Sequence, residues 1–148
     1  QYQGTPLDIT QGPDAGPWHS KLRYGSLGFQ YDSVQYWFER PIATQQTGWS
    51  MVAQMRGYEG AHAGGILWFG VDDAATSLYV PMYSSITAVP ECFQEGNGDL
   101  YTYSPTSAWW TYNIVANWAY SKYSAMLPDI KKVIFDFAKK WNLSINED

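Results

Sequence analysis

Two glycines, Gly64 and Gly65, and two aspartates, Asp72 and Asp73, bracket an unbroken apolar run, Ile66-Leu67-Trp68-Phe69-Gly70-Val71. A short apolar run with turn formers at both ends predicts a strand covered on both faces. Thr76 to Tyr83 reads as its hairpin partner. Residues 72–77 are small or acidic and lie between Val71 and Leu78, which suits a hairpin loop rather than a crossover helix. The pair predicts antiparallel neighbours, and so constrains the sheet that any fold of this chain must contain.

The flanking segments extend the pattern. Gly4 to Gly28 carries Thr5-Pro6, Gly12-Pro13, Gly16-Pro17 and Gly25 with few apolar residues, which predicts an extended, loop-like segment over about residues 1–30 that wraps the surface. Val34 to Glu39 alternates Val34, Tyr36 and Phe38 against Gln35, Trp37 and Glu39. Ala43 to Arg56 continues the strand reading through Trp49, Met51, Ala53 and Met55, with Pro41 between the two segments. Strands are thus expected within 34–103.

Gly96-Asn97-Gly98-Asp99 is a turn signal, and Ser104 or Thr106 is placed to cap a helix over Ala108 to Tyr123. Trp109, Tyr112, Ala116, Ala119 and Tyr123 recur there at three- and four-residue steps, with Asn113 and Asn117 on a neighbouring face. A last helix is expected from Pro128, a residue tolerated in a first turn, with Ile130, Val133, Ile134, Phe137, Ala138 and Trp141 as its apolar stripe. Strands followed by two C-terminal helices predict an α+β fold, an antiparallel sheet with helices on one side, in a single domain over 1–148. A chain of 148 residues is long enough for one such core.

Net charge is −5, and five of the nine basic residues, Lys122, Lys131, Lys132, Lys139 and Lys140, flank the predicted helices, which disfavours nucleic acid as a partner. One cysteine excludes an intrachain disulfide. No apolar run approaches the length of a membrane span, and no signal peptide is apparent. Aromatic residues make up 18% against 16% charged. Most of these rings follow strand or helix periodicity, so a core is the first expectation and a sugar-stacking platform the second.

Taken together, GTPLDITQGPDAGPW, WFGVDD, the tyrosine-proline spacing of LYVPMY and the block SPTSAWW, in this order, resemble the cysteine dipeptidases of the N-terminal-nucleophile hydrolase superfamily, relatives of the secernins. The resemblance covers roughly Gly4 to Val133. It implies a four-layer sandwich of two antiparallel sheets between helical layers, of which this chain supplies a part and exposes strand edges unless another chain covers them. It also implies a dipeptide substrate and an amino-terminal cysteine whose own α-amine activates it. The resemblance favours a secreted or periplasmic address, with a cytoplasmic one left open, and a homo-oligomer is a further expectation.

The first residue here is Gln1, and the single thiol, Cys92, lies inside VPECF with a peptide-bonded nitrogen that cannot serve as a base. Cys92 reads as a small buried hydrophobe. The chain is therefore expected to be a C-terminal portion, inactive alone, partnered by an N-terminal part of the same protein that carries the nucleophile.

A dipeptidase needs an anion for the substrate ammonium and cationic or N–H donors for its carboxylate and oxyanion. Asp72 and Asp73 end a buried strand, Arg40 and Arg56 bracket another, and Gln45, Gln46 and Thr47 interrupt the apolar alternation; Asp72, Asp73, Arg40, Gln45, Gln46 and Thr47 are the candidate substrate-binding residues. The plainer alternatives are that the aspartates satisfy their own loop and the arginines form structural ion pairs. His19 and His62 stand far from a second ligand at metal spacing, and no cofactor motif is present, so no metal or cofactor is expected. Two other readings stay open: a glycan-binding module using Trp18, Trp37 and Trp49, and a non-catalytic, secernin-like interaction protein.

Overall fold

A computed structural model describes residues 3–6, 8–12, 15–22, 28–37, 42–57 and 64–145, with side chains to 141. Among the described residues five strands come first: β1 (Gly28–Tyr31), β2 (Val34–Trp37), β3 (Trp49–Met55), β4 (Gly65–Val71) and β5 (Val80–Tyr83). A short 3-10 turn (Glu91–Phe93), then α1 (Ala108–Ser121) and α2 (Tyr123–Ile145), complete an α+β fold. β1 and β2 form a two-stranded antiparallel sheet; β3, β4 and β5 form a three-stranded one in that order.

The bracketed apolar run is the central strand, β4. Its register sets Trp49 opposite Val71 on one side and Phe69 opposite Val80 on the other. Alternate side chains of a strand point to opposite faces, and both faces find partners. The Trp68 ring meets Trp141 of α2 at 6.4 Å, while the Phe69 ring stacks on Trp49 at 6.1 Å and meets Phe93 edge-on at 5.6 Å. Cover is complete only at Ile66 and Gly70; the rest of β4 is half-buried. Pro81 sits in β5, an edge strand of the described sheet, where a missing N–H is tolerated.

The strand partner is shorter than expected. The Asp73 carbonyl accepts the N–H groups of Thr76 and Ser77 and both of their hydroxyls, which holds 76–77 in a turn and delays pairing until Val80. β3 likewise starts at Trp49 rather than Ala43, because 44–47 closes on itself: Thr47 N–H donates to the Thr44 carbonyl and Thr44 N–H to Thr47 Oγ1. The amino-terminal segment is a succession of turns rather than an extended wrap, and it ends inward, with Ala15, Ser20 and Lys21 buried. β1 was not anticipated; it is formed across a turn in which Asp32 and Ser33 both take positive φ, 47° and 61°.

The core lies where α1 meets α2. Ala116, Ala119, Tyr120 and Tyr123 are buried together, with Leu22, Met126, Leu127 and Ile130 packed against them. Neither Ser104 nor Thr106 caps α1. Both hydroxyls turn to Asn97 Oδ1 instead, and Ser107 occupies the cap position without a side-chain bond. α2 begins at Tyr123, five residues before Pro128, so the proline sits inside the helix rather than in its first turn. The α2 stripe is also narrower than its periodicity suggests: Val133 and Phe137 are exposed, while Ile130, Ile134, Ala138 and Trp141 are half-buried. Of the aromatic residues expected to make a core, only Tyr120 and Tyr123 are buried among the described residues.

Candidate functional site

The two aspartates that close β4 have different surroundings. Asp72 takes a left-handed backbone, φ 64°, a conformation that Asp and Asn tolerate better than most residues. Its N–H donates to the Gly48 carbonyl at 2.8 Å, which ties the end of β4 to the residue that follows Thr47. The carboxylate is buried, with 5% of the residue exposed, and accepts a side-chain bond from Asn113 Nδ2 of α1 to Oδ1 at 3.1 Å. Its other oxygen, Oδ2, has no hydrogen-bond partner among the described residues. Burial pushes the Asp72 carboxyl above its ordinary pKa, and the Asp73 charge adds to the shift, against the pull of Asn113, the Asp73 backbone N–H and Lys21. An unpaired buried acceptor of this kind costs about 1–3 kcal/mol.

Asp73 is wholly enclosed and fully engaged. Lys21 Nζ reaches Oδ1 at 2.6 Å, the Ala75 N–H reaches the same oxygen at 3.0 Å, and Tyr120 Oη donates to Oδ2 at 2.8 Å. The Lys21 ammonium also lies 5.5 Å from the centre of the Tyr123 ring, which stacks with Tyr120. Desolvation lowers the Lys21 pKa while Asp73 opposes that shift. Burial and the neighbouring carboxylates raise the Tyr120 phenol, so it stays protonated and donates. One carboxylate thus joins the amino-terminal segment, the loop after β4 and α1.

Gln45, Gln46 and Thr47 lie in the turn that leads to Gly48. The side-chain carbonyls of both glutamines accept from Thr44 Oγ1 at 2.8 Å, and Thr47 Oγ1 donates to the Ile42 carbonyl. The sequence placed Thr47 and Asp72 far apart, and the Asp72–Gly48 bond brings their segments together. Arg40 and His62 lie outside the described residues. Arg56 is buried at the opposite end of the β3–β4 ladder, its N–H on the Gly64 carbonyl at 2.6 Å, about 26 Å from Asp72 at roughly 3.3 Å per strand residue. Lys21, Asn113 and Tyr120 are the site residues that sequence reasoning missed. Only Asn113 carried a signal, its place beside the apolar face of α1.

Cys92 lies in the 3-10 turn, half-buried, and desolvation together with the Glu91 charge raises its thiol pKa. Trp18, Trp37 and Trp49 are exposed by 42%, 74% and 59%, but they belong to three separate elements, and Trp18 lies under the Lys122 ammonium. Beside the Asp73–Lys21 pair opens a cleft of ≈ 560 Å³, bordered by Ala43, Ala75, Tyr123 and the amino-terminal segment.

The motif blocks have physical counterparts. Within WFGVDD, a side chain at Gly70 would add its first carbon at 3.5 Å from the Tyr79 ring, whose hydroxyl bonds Ser50. Between GNGD and SPTSAWW, Trp110 Nε1 donates to the carbonyls of Asp99 and Thr102, and a Cβ at Gly98, whose φ is 82°, would crowd Ser104, Thr102 and Trp110 at 3.1–3.2 Å. A family model described as Peptidase family C69 matches residues 1–135. No curated protein and no solved structure matches the chain.

Proposed function

The chain belongs to peptidase family C69, and on that premise we propose that these residues are the scaffold and part of the substrate pocket of a cysteine-type dipeptidase. The nucleophile of this reading is an amino-terminal cysteine carried outside the 148 residues. Its thiolate attacks the dipeptide carbonyl, the amine departs with a proton returned by the α-amine, and water then hydrolyses the thioester. What supports placing the thiol elsewhere is the state of Cys92. An activated cysteine has its pKa lowered by a cation, a histidine or a helix start, and burial and Glu91 move this one upward.

Asp72 is the proposed anchor for the substrate ammonium, with Thr47, Gln45 and Gln46 as the polar border beside it. The observation that carries this assignment is the unpartnered, buried Oδ2, for which an ammonium is the missing donor. Asp73 is the weaker candidate, since Lys21 and Tyr120 already occupy it. Because so little of Asp72 is exposed, binding requires the carboxylate to turn toward the surface. For Arg40 the proposal rests on sequence alone.

The test is hydrolysis by the natural full-length protein of a free dipeptide and of its N-acetyl derivative. The free dipeptide should be cleaved and the acetylated one refused. Asp72→Asn should raise KM for the free dipeptide about 10- to 100-fold, the equivalent of roughly 1.5–3 kcal/mol for a charge-assisted hydrogen bond. An unchanged KM removes Asp72 from recognition. No turnover of any dipeptide leaves the non-catalytic interaction role as the better reading.

A further inference from the structure

The cleft beside Lys21 is of a size suited to a small ligand. We propose that it is a carboxylate site, taking the α-carboxylate of a short peptide, with Lys131 as the exposed counter-charge and Lys21 as the buried one. That the ligand is a peptide rests on the dipeptidase reading; that it is a carboxylate rests on the cleft.

Two ammonium groups line the same space, Lys21 from the amino-terminal segment and Lys131 from α2. Lys21 is 4% exposed and gives one hydrogen bond, to Asp73, of the three an ammonium can donate. Lys131 forms no ion pair among the described residues. The two are near enough for the charge of Lys131 to weigh on Lys21, and an anion between them relieves that repulsion. The acid in the cleft, Asp8, is turned to its own backbone: Gly4 N–H donates to one oxygen, and Thr10 N–H and Oγ1 to the other.

His19 borders the cleft with its ring turned to the backbone, Nδ1 donating to the Thr10 carbonyl at 3.0 Å. Leu127 and the Tyr123 ring supply an apolar wall, which suits the side chain next to a peptide carboxylate. Lys21 also lies within electrostatic reach of Asp72, so the proposed ammonium and carboxylate anchors flank one buried cation.

The test is calorimetric binding to the natural full-length protein of three probes: an alanyl-alanine isostere with a reduced, uncleavable bond, the same isostere as its C-terminal amide, and acetate. The free-acid isostere should bind at least tenfold more tightly than the amide. Lys131→Met should weaken it about tenfold, and Lys131→Arg should restore most of the loss. Equal binding of acid and amide, or unchanged binding by a folded Lys131→Met protein, overturns the site. Acetate binding as tightly as the isostere overturns the peptide and leaves a site for small acids. Turnover separates the two readings: dipeptide cleavage without acid-over-amide selectivity defeats the carboxylate site alone, whereas selectivity without cleavage defeats the dipeptidase reading alone.

Discussion

Asp72 and Asp73 are chemically identical neighbours, and the chain separates their roles through partners more than 40 positions away. The sequence shows an acidic pair after a strand; it does not show that Lys21 pairs across 52 positions and Tyr120 across 47, because such contacts leave no periodic trace. Asp73 has a structural role, and Asp73→Ala should destabilise the fold by about 3–5 kcal/mol, since it leaves Lys21 charged and buried without its partner. Chemical denaturation measures this, and a loss below about 1 kcal/mol would contradict the buried pair. Asp72 should behave in the opposite way. Its carboxyl is raised above 3.8, so the native state holds that proton more tightly than the unfolded chain does. The resulting stability is complete below pH 3.8 and is lost as pH rises through the raised value. Asp72→Asn removes that loss and accepts the left-handed backbone, so its melting temperature should exceed that of the parent at pH 7, with the gap closing toward pH 3.8. A gap that widens on acidification would reverse the assignment.

Elements were legible where periodicity and punctuation agree. β4 was visible in its apolar run, and α1 in its three- and four-residue steps. Boundaries failed where a local hydrogen bond competed with the ladder. Asp73 holds the start of the expected partner strand, the 44–47 turn shortens β3, and Asn97 takes the hydroxyls expected to cap α1. β1 and β2 were joined by Asp32-Ser33, which meets the demand for two positive φ values without the Asn-Gly signature that usually announces such a turn. Pro128 misled for a different reason. A proline marks a helix start only on average, and here Ser124 N–H finds the Trp18 carbonyl at 2.9 Å, so the helix begins a turn earlier. Pro128 then lacks the N–H that would bond the Ser124 carbonyl. Pro128→Ala should therefore stabilise the protein, by up to about 3 kcal/mol. A fall in melting temperature would mean that packing around α2 depends on the proline.

At the scale of the whole molecule, the α+β class and the family were both readable from the chain, whereas the distribution of its aromatic rings was not. Rings were assigned to a core by periodicity, yet Trp37, Tyr101, Tyr103 and Trp118 stand exposed, as do Trp49, Met51, Val52 and Met55 along β3. Periodicity reports which residues share a face; it does not report whether a second layer covers that face. An edge strand of the described sheet that leaves Trp49, Met51 and Met55 exposed on one apolar face fits the proposal that these residues are one part of a larger sandwich. The central claim is that they serve a thiol other than Cys92. It is tested most directly by the dipeptide turnover of Cys92→Ala in the natural full-length protein, before and after iodoacetamide. Turnover should match the parent and vanish on alkylation, while a folded Cys92→Ala protein without activity would make Cys92 the nucleophile and contradict the account.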